Sequence, residues 1–221
     1  MTAHEPSNNQ LGLRERKKLA THEALRAAAL RLALEHGPDN VRVNDIADAA
    51  GVSPRTYNNY FSSREQAIVA AVTAERSLRI ATVLRNRPAT EPLAAAVIDT
   101  VVEQYIGEPA GDALTMITTT PRLRTEFIDA VAAIQPSLAA AIAERIGQTD
   151  SLIADVLAAA VAAAVRVALQ HWVQPPGEGM LSDNGFVVVT DRPLSDLLRD
   201  ALECLAPALR AADPHRDRQS R

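Results

Sequence analysis

Apolar positions recur at helical spacing along most of this chain, and glycine and proline interrupt them at regular points. From about Leu19 to His36 the set Leu25, Ala28, Ala29, Leu32 and Ala33 follows i, i+3, i+4, i+7, i+8 until Gly37 and Pro38 stop it. This predicts a first helix with one buried stripe. Val43 to Ala50 predicts a short second helix, with Ile46, Ala47 and Ala50 inward and Asp45 and Asp48 outward. Gly51 closes it in the left-handed conformation, and Val52 is the apolar residue of the turn. Ser53 then caps a third helix, with Pro54 at its first position and Val52 and Tyr57 at the two ends of a hydrophobic staple. Tyr57 and Phe61, four apart, face the core. Residues 42–61 therefore read as a helix-turn-helix.

Ser63-Arg64-Glu65-Gln66 fits a capping box and opens a longer helix through Ile68 and Val72 to about Leu84. Beyond Arg85 the prolines divide the chain into helical segments at about 93–106, 110–119, 122–146 with a kink at Pro136, 150–173 and 193–212. Gln174 to Arg192, rich in proline and glycine around Phe186-Val187-Val188-Val189, reads as a loop or short extended excursion. Met1 to Gly12 has no periodicity. The expected organisation is a disordered arm at 1–13, a helix-turn-helix domain at 14–62 and a second helical domain at 63–221.

Composition agrees with an all-α fold: 47% of residues are hydrophobic and only 3% aromatic, with abundant alanine. The formal net charge of −4 argues against a nucleic-acid binder until its distribution is read. Residues 1–64 hold nine Lys/Arg against seven Asp/Glu, and the remainder fourteen against twenty. Only the N-terminal part is fit to meet phosphates. Its surplus is small, so affinity has to come from placed contacts and dimerisation and weaken with salt. The single cysteine, Cys204, and the lack of a charged-then-apolar leader point to the cytoplasm. Leu152 to Val173 is the most apolar stretch, but Asp155 and Arg166 interrupt it, and it reads as a buried helix with no membrane role.

The third helix turns Arg55, Thr56, Asn58 and Asn59 to its open side. Arginine can fork onto guanine and asparagine onto adenine, each worth about 1–3 kcal/mol of discrimination in the major groove. The bland reading, a solvated polar face, stands beside it. The basic run Arg14, Arg16, Lys17 and Lys18 is either a solvated helix start or a backbone contact.

In the C-terminal half His171 and Cys204 are isolated, and neither metal-ligand spacing nor a glycine-rich phosphate loop occurs. No enzyme, metal or cofactor is expected. Met116, Phe127 and Trp172 are candidates to line a ligand cavity, against the plainer reading as core filler. Arg122 and Arg124 read as surface, whereas Arg166, in an apolar helix, should meet a carboxylate, a ligand or the rim. The Leu152–Val173 and Pro193–Ala212 helices are apolar on several sides, so they are expected to pair across a two-fold axis. Ala158, Ala162, Leu169, Leu194, Leu198 and Leu202 are the candidate interface.

Taken together, the first helix, the GPDN loop, VNDIADAAGVS, PRTYNNYF and SSREQ resemble the N-terminal domain of TetR-family transcriptional regulators over about Arg14 to Val72. The resemblance implies DNA contacts at Val43, Asn44, Pro54, Arg55, Thr56, Asn58, Asn59, Tyr60 and Arg64, with Tyr60 and Arg64 on phosphates. Two departures stand out: Arg42 where the family usually has a Thr or Ser cap, and Ala33 where it usually has a bulky aromatic. LRERKKLATHEAL with SPRTYNNYF is similar to an actinobacterial branch that includes regulators of mycofactocin clusters, some responsive to long-chain acyl-CoA.

The reading that follows is a transcriptional regulator, most often a repressor in this family, that binds a pseudo-palindromic double-stranded operator as a homodimer. A small hydrophobic effector, an acyl-CoA or another lipophilic compound, releases it. The alternative is an architectural helix-turn-helix protein without an inducer; a third is an alanine-rich interaction protein that does not bind DNA.

Overall fold

Leucine, alanine, arginine and glutamate dominate the chain up to His36, and no proline interrupts them after Pro6. These are strong helix formers, and extending an existing helix adds a hydrogen bond per residue fixed. The computed structural model, which describes residues 8–106, 111–148, 151–172 and 192–214, accordingly runs α1 from Asn8 to His36. This corrects two expectations: the helix starts well before Leu19, and residues 8–13 of the supposed arm are helical. Residues 1–7 lie outside the described residues.

The chain divides into two compact units, Met1–Val72 and Thr73–Arg221, so the boundary falls about ten residues beyond the expected 62/63, inside a helix. In the first unit α1 packs on α2 (Val43–Ala49) and on a 3-10 turn at Pro38–Asn40, and α2 packs on α3 (Pro54–Asn58). Leu25, Ala29, Ile46, Ala47 and Tyr57 are fully buried, and Ala33 is buried as the small core residue its sequence position promised. α4 (Arg64–Asn86) begins in this unit, with Ala67, Ile68 and Val69 buried, and continues into the second.

The second unit adds α5 (Leu93–Ile106), α6 (Gly111–Thr119), α7 (Pro121–Ala130), α8 (Gln135–Arg145), α9 (Leu152–Trp172), α10 (Leu194–Glu203) and α11 (Ala206–Ala211). No strand occurs among the described residues. The kink expected at Pro136 is a 3-10 turn, Val131–Ile134, after which Pro136 sits in the first turn of α8, where its missing N–H leaves nothing unpaired. Pro207 divides the 193–212 segment into α10 and α11 in the same way. The proposed excursion at Gln174–Arg192 lies outside the described residues save for Arg192.

α9 is the centre of this unit, packing on α7, α8 and α10. Its inner face includes Ala154, Leu157, Ala158, Val161, Ala162, Val165 and Leu169. Arg145 closes the lower end: its Nη1 donates to the carbonyls of Leu84 (3.3 Å) and Arg87 (3.1 Å), and its Nη2 to those of Pro88 and Glu91 (both 3.0 Å). One planar fork thus satisfies carbonyls at and beyond the end of α4 that no helical N–H reaches. Asp213 accepts from the Leu93 amide at 2.7 Å and caps α5.

The expected dimer residues need correction. Ala158, Ala162, Leu169, Leu198 and Leu202 are buried inside the single chain, and Leu194 is partly buried. α9 is apolar nearly all round, so sequence periodicity could not say which face the chain itself covers; α7, α8 and α10 pack on α9, and Ala158, Ala162 and Leu169 lie on its covered face.

Candidate nucleic-acid interface and buried polar site

The turn between α2 and α3 is held by backbone alone. Val52 N–H donates to Ala47 at 2.9 Å and Gly51 N–H to Asp48 at 3.0 Å, the paired bonds of a helix end that requires a left-handed residue. Gly51 supplies it with φ 69°. At the start of α2, Arg42 offers no side-chain acceptor, but the Asp45 carboxylate accepts from the Arg42 amide at 3.0 Å. Half of a capping box therefore replaces the missing Ser or Thr. Ser53 caps α3 as expected, its hydroxyl accepting from the Thr56 amide at 3.1 Å.

α3 is only Pro54–Asn58, so its rigidity comes from anchoring. Tyr57 is fully buried and donates its hydroxyl to the Ser63 carbonyl at 2.7 Å. Burial, aided by the Glu65 carboxylate, pushes that phenol up to about 12, so it remains a donor. Phe61 is buried against Tyr57 and stacks on the His22 ring of α1 at 4.9 Å, and Tyr60 lies 6.0 Å from the same ring. Burial first and Arg26 second lower the His22 pKa from its ordinary 6.5, which keeps the imidazole neutral among the rings.

The residues of the open side divide into two kinds. Asn44, Pro54, Arg55, Asn58 and Asn59 are exposed, and the side chains of Arg55, Asn58 and Asn59 make no hydrogen bond among the described residues. Val43, Thr56 and Tyr60 are partly buried, with the Thr56 hydroxyl 2.9 Å from that of Ser53. Arg64 differs from all of these. Its Nη1 donates to the carbonyls of Asp39 (2.8 Å) and Val41 (2.9 Å), its Nη2 meets the Asp39 carboxylate at 3.2 Å, and its Nε meets Glu65 at 3.0 Å. With every nitrogen engaged, it braces the loop before α2 to the start of α4.

In the second unit the expected ligand residues differ in exposure. Phe127 is buried, Met116 and Trp172 are partly buried, and Arg166 is exposed, taking the rim position among its three options. Arg122 is likewise exposed. The buried charge is one that sequence reasoning missed. Arg76 on α4 is 2% exposed, with its guanidinium carbon 4.5 Å from the centre of the Tyr105 ring and 5.2 Å from that of Phe127. Its Nε and Nη1 have no hydrogen-bond partner among the described residues. Burial is the main influence on its ionisation and lowers the pKa from the ordinary value; burial likewise pushes the Tyr105 phenol up to about 12. A detectable signal existed. Ile68, Val72, Arg76, Ile80 and Leu84 form one i, i+4 row, and the other four members are apolar and buried.

Comparison with known proteins bears on both units. Residues 25–71 match the model described as bacterial regulatory proteins, tetR family, and residues 112–210 match that of the MftR C-terminal domain. The HTH-type transcriptional regulator TcmR of Streptomyces glaucescens is 32% identical over 150 residues, a match covering 63% of this chain and 66% of that protein, just under two thirds of its length. Two solved structures are similar more loosely. A tetR-family transcriptional regulator from Streptomyces coelicolor has 16% identity, coverage of 90% of this chain and 85% of that one, and a TM-score of 0.41. The fatty acid degradation regulator FadR from Bacillus halodurans has 18% identity, coverage of 86% and 96%, and a TM-score of 0.41. With a helix-turn-helix in its first unit and both units matched by family models, the chain belongs to the TetR family of bacterial regulatory proteins.

Proposed function

We propose that this protein is a cytoplasmic, ligand-responsive repressor that binds a pseudo-palindromic operator as a homodimer. The observation that carries the DNA reading is the open face of α3, where Arg55, Asn58 and Asn59 are exposed and unpaired on a helix fixed by buried Tyr57. Donors held rigidly with no partner of their own suit base edges in a major groove. Asn44, Thr56 and Tyr60 contact the backbone around them, with Val43 and Pro54 packing against it. Arg64 acts as a brace for the loop before α2 in place of the phosphate contact suggested by family resemblance.

One head covers one half-site, so a second copy is needed. The face of α9 left open by its own chain supports the pairing: Leu152 is 78% exposed and Val156 57%, with Ile153 and Val167 also exposed. α10 turns Asp196, Arg199, Asp200 and Glu203 outward, which makes it the rim. A hydrophobic effector bound in the second unit would favour a head spacing that misfits the operator, by no more than its differential affinity for the two states.

A gel shift with the DNA upstream of the protein's own gene tests the regulator. Binding by the native chain, lost in Arg55→Ala, is expected; no binding at low salt would count against it. Light scattering should give a dimer at micromolar concentration and a monomer for Val156→Glu, and a monomeric native chain would remove the operator geometry.

A further inference from the structure

Arg76 is a positive charge taken out of water without being paired. Among the described residues no carboxylate pairs with it, and Nε and Nη1 point at no acceptor. Its neighbours on the same helical face, Thr73 and Ser77, are also buried, so three of the buried polar residues of this unit, at i, i+3 and i+4, share one patch. The Ser77 hydroxyl reaches only as far as the Ala133 carbonyl at 3.5 Å, the outer limit of a hydrogen bond. The rings of Tyr105 and Phe127 give the guanidinium a partial electrostatic partner through their faces, yet rings cannot accept its in-plane N–H groups. A buried donor without an acceptor is costly, so its retention calls for an account of what it serves. Arg145, in the same unit, shows the contrasting case of a guanidinium with both Nη nitrogens engaged by its own chain.

We propose that Arg76 is the anchor for the carboxylate of an organic acid that serves as the effector, with the apolar remainder of that acid lying among the core residues of the second unit. The inference rests on the ligand-responsive reading above and names the chemical class of its ligand. A carboxylate fits better than a phosphate dianion, because one negative charge neutralises one buried positive charge, whereas two would leave an uncompensated charge out of water. Planar pairing of guanidinium with carboxylate supplies direction as well as charge, and it leaves the two rings where they already stand.

The test is the thermal midpoint of the full chain with matched acid and alcohol pairs, dodecanoate with dodecanol and 2-naphthoate with 2-naphthylmethanol. At about a hundredfold excess over its dissociation constant, one of the acids should raise the midpoint by about 5–10 °C, with its alcohol well below it. In Arg76→Met that preference should vanish, and the ligand-free variant should melt no lower than the native chain, since the substitution removes an unpaired buried charge. Equal shifts by acid and alcohol, no shift by either acid, or acid preference retained in Arg76→Met would each overturn the anchor. If Arg76→Met does not fold, Arg76→Lys keeps the charge without the fork: a weakened acid preference supports the anchor, and an unchanged one overturns it. Operator binding in the same samples separates the two proposals. Release by acid and alcohol alike leaves the regulator standing without the anchor, and acid-selective stabilisation of a chain that binds no operator leaves the anchor without the regulator.

Discussion

The two units handle polar side chains in opposite ways. In the first, the buried positions among the described residues are apolar or aromatic, and the one deeply buried hydroxyl among them, on Tyr57, has its acceptor at 2.7 Å. The groups without partners, on Arg55, Asn58 and Asn59, all face outward, where water satisfies them at no cost. In the second unit polar groups are inside. Arg145 spends its fork on carbonyls of four residues, while Arg76, at the same kind of partly apolar helix face, leaves Nε and Nη1 empty. An unpaired donor on the outside is ready for any partner that arrives with its own acceptors. An unpaired donor on the inside is a standing cost of about 1–3 kcal/mol until an acceptor reaches it.

The sharpest way to break this comparison is to remove the anchor of the first unit. Tyr57→Ala should destabilise it by about 3–5 kcal/mol, enough to lose the helix-turn-helix as a folded unit, as followed by urea denaturation and by loss of DNA binding. Tyr57→Phe, which deletes only the hydroxyl, should cost about 1 kcal/mol and keep binding. In the second unit Arg145→Met strips donors from four carbonyls, of which that of Pro88 keeps the Glu91 N–H at 3.1 Å, and a loss of about 2–3 kcal/mol is expected by the same measurement. Arg145→Lys should recover little of it, because an ammonium cannot span four carbonyls in one plane. Opposite signs at two arginines of one unit, Arg145→Met destabilising and ligand-free Arg76→Met neutral or stabilising, would be the clearest expression of the contrast. Gly51→Ala places a Cβ at φ 69° with nothing within 4 Å to clash, so only backbone strain, about 1 kcal/mol, should appear in the midpoint.

The smallest effect is a dependence on pH. His22 holds its proton less tightly in the folded unit than in the unfolded chain, so its contribution is complete above the unfolded value of 6.5 and declines as pH falls below it. Melts of the native chain between pH 7.5 and pH 5.5, compared with His22→Phe, should show a shallow fall that the variant lacks.

Much of the first unit was legible because its signals are local. Gly51, Ser53 and Pro54 mark a turn whose hydrogen bonds run between near neighbours, and Tyr57 and Phe61 are the apolar members of a short polar stretch. The second unit hides its information in long-range choices. α9 is apolar on nearly every face, so which face α10 covers depends on packing between segments some forty residues apart, and the expected dimer residues fell on the covered side. Arg76 was overlooked because a search for apolar periodicity passes over the polar member of a row, although an arginine between Val72 and Ile80 at i, i+4 spacing is itself a sign of a buried charge. The bracing contacts of Arg64 were not legible for a related reason: its partners Asp39 and Val41 lie more than twenty positions away.

The claim that an unpaired outer face reads bases is tested most directly by selecting bound duplexes from a randomised pool with the native chain, Asn59→Ala and Arg64→Ala. The native chain should select a two-fold symmetric sequence. Asn59→Ala should relax preference at one symmetric pair of positions, by about 1–3 kcal/mol per site, and Arg64→Ala should bind more weakly with its preference unchanged. A native selection without symmetry, or preference intact in Asn59→Ala and altered in Arg64→Ala, would contradict it.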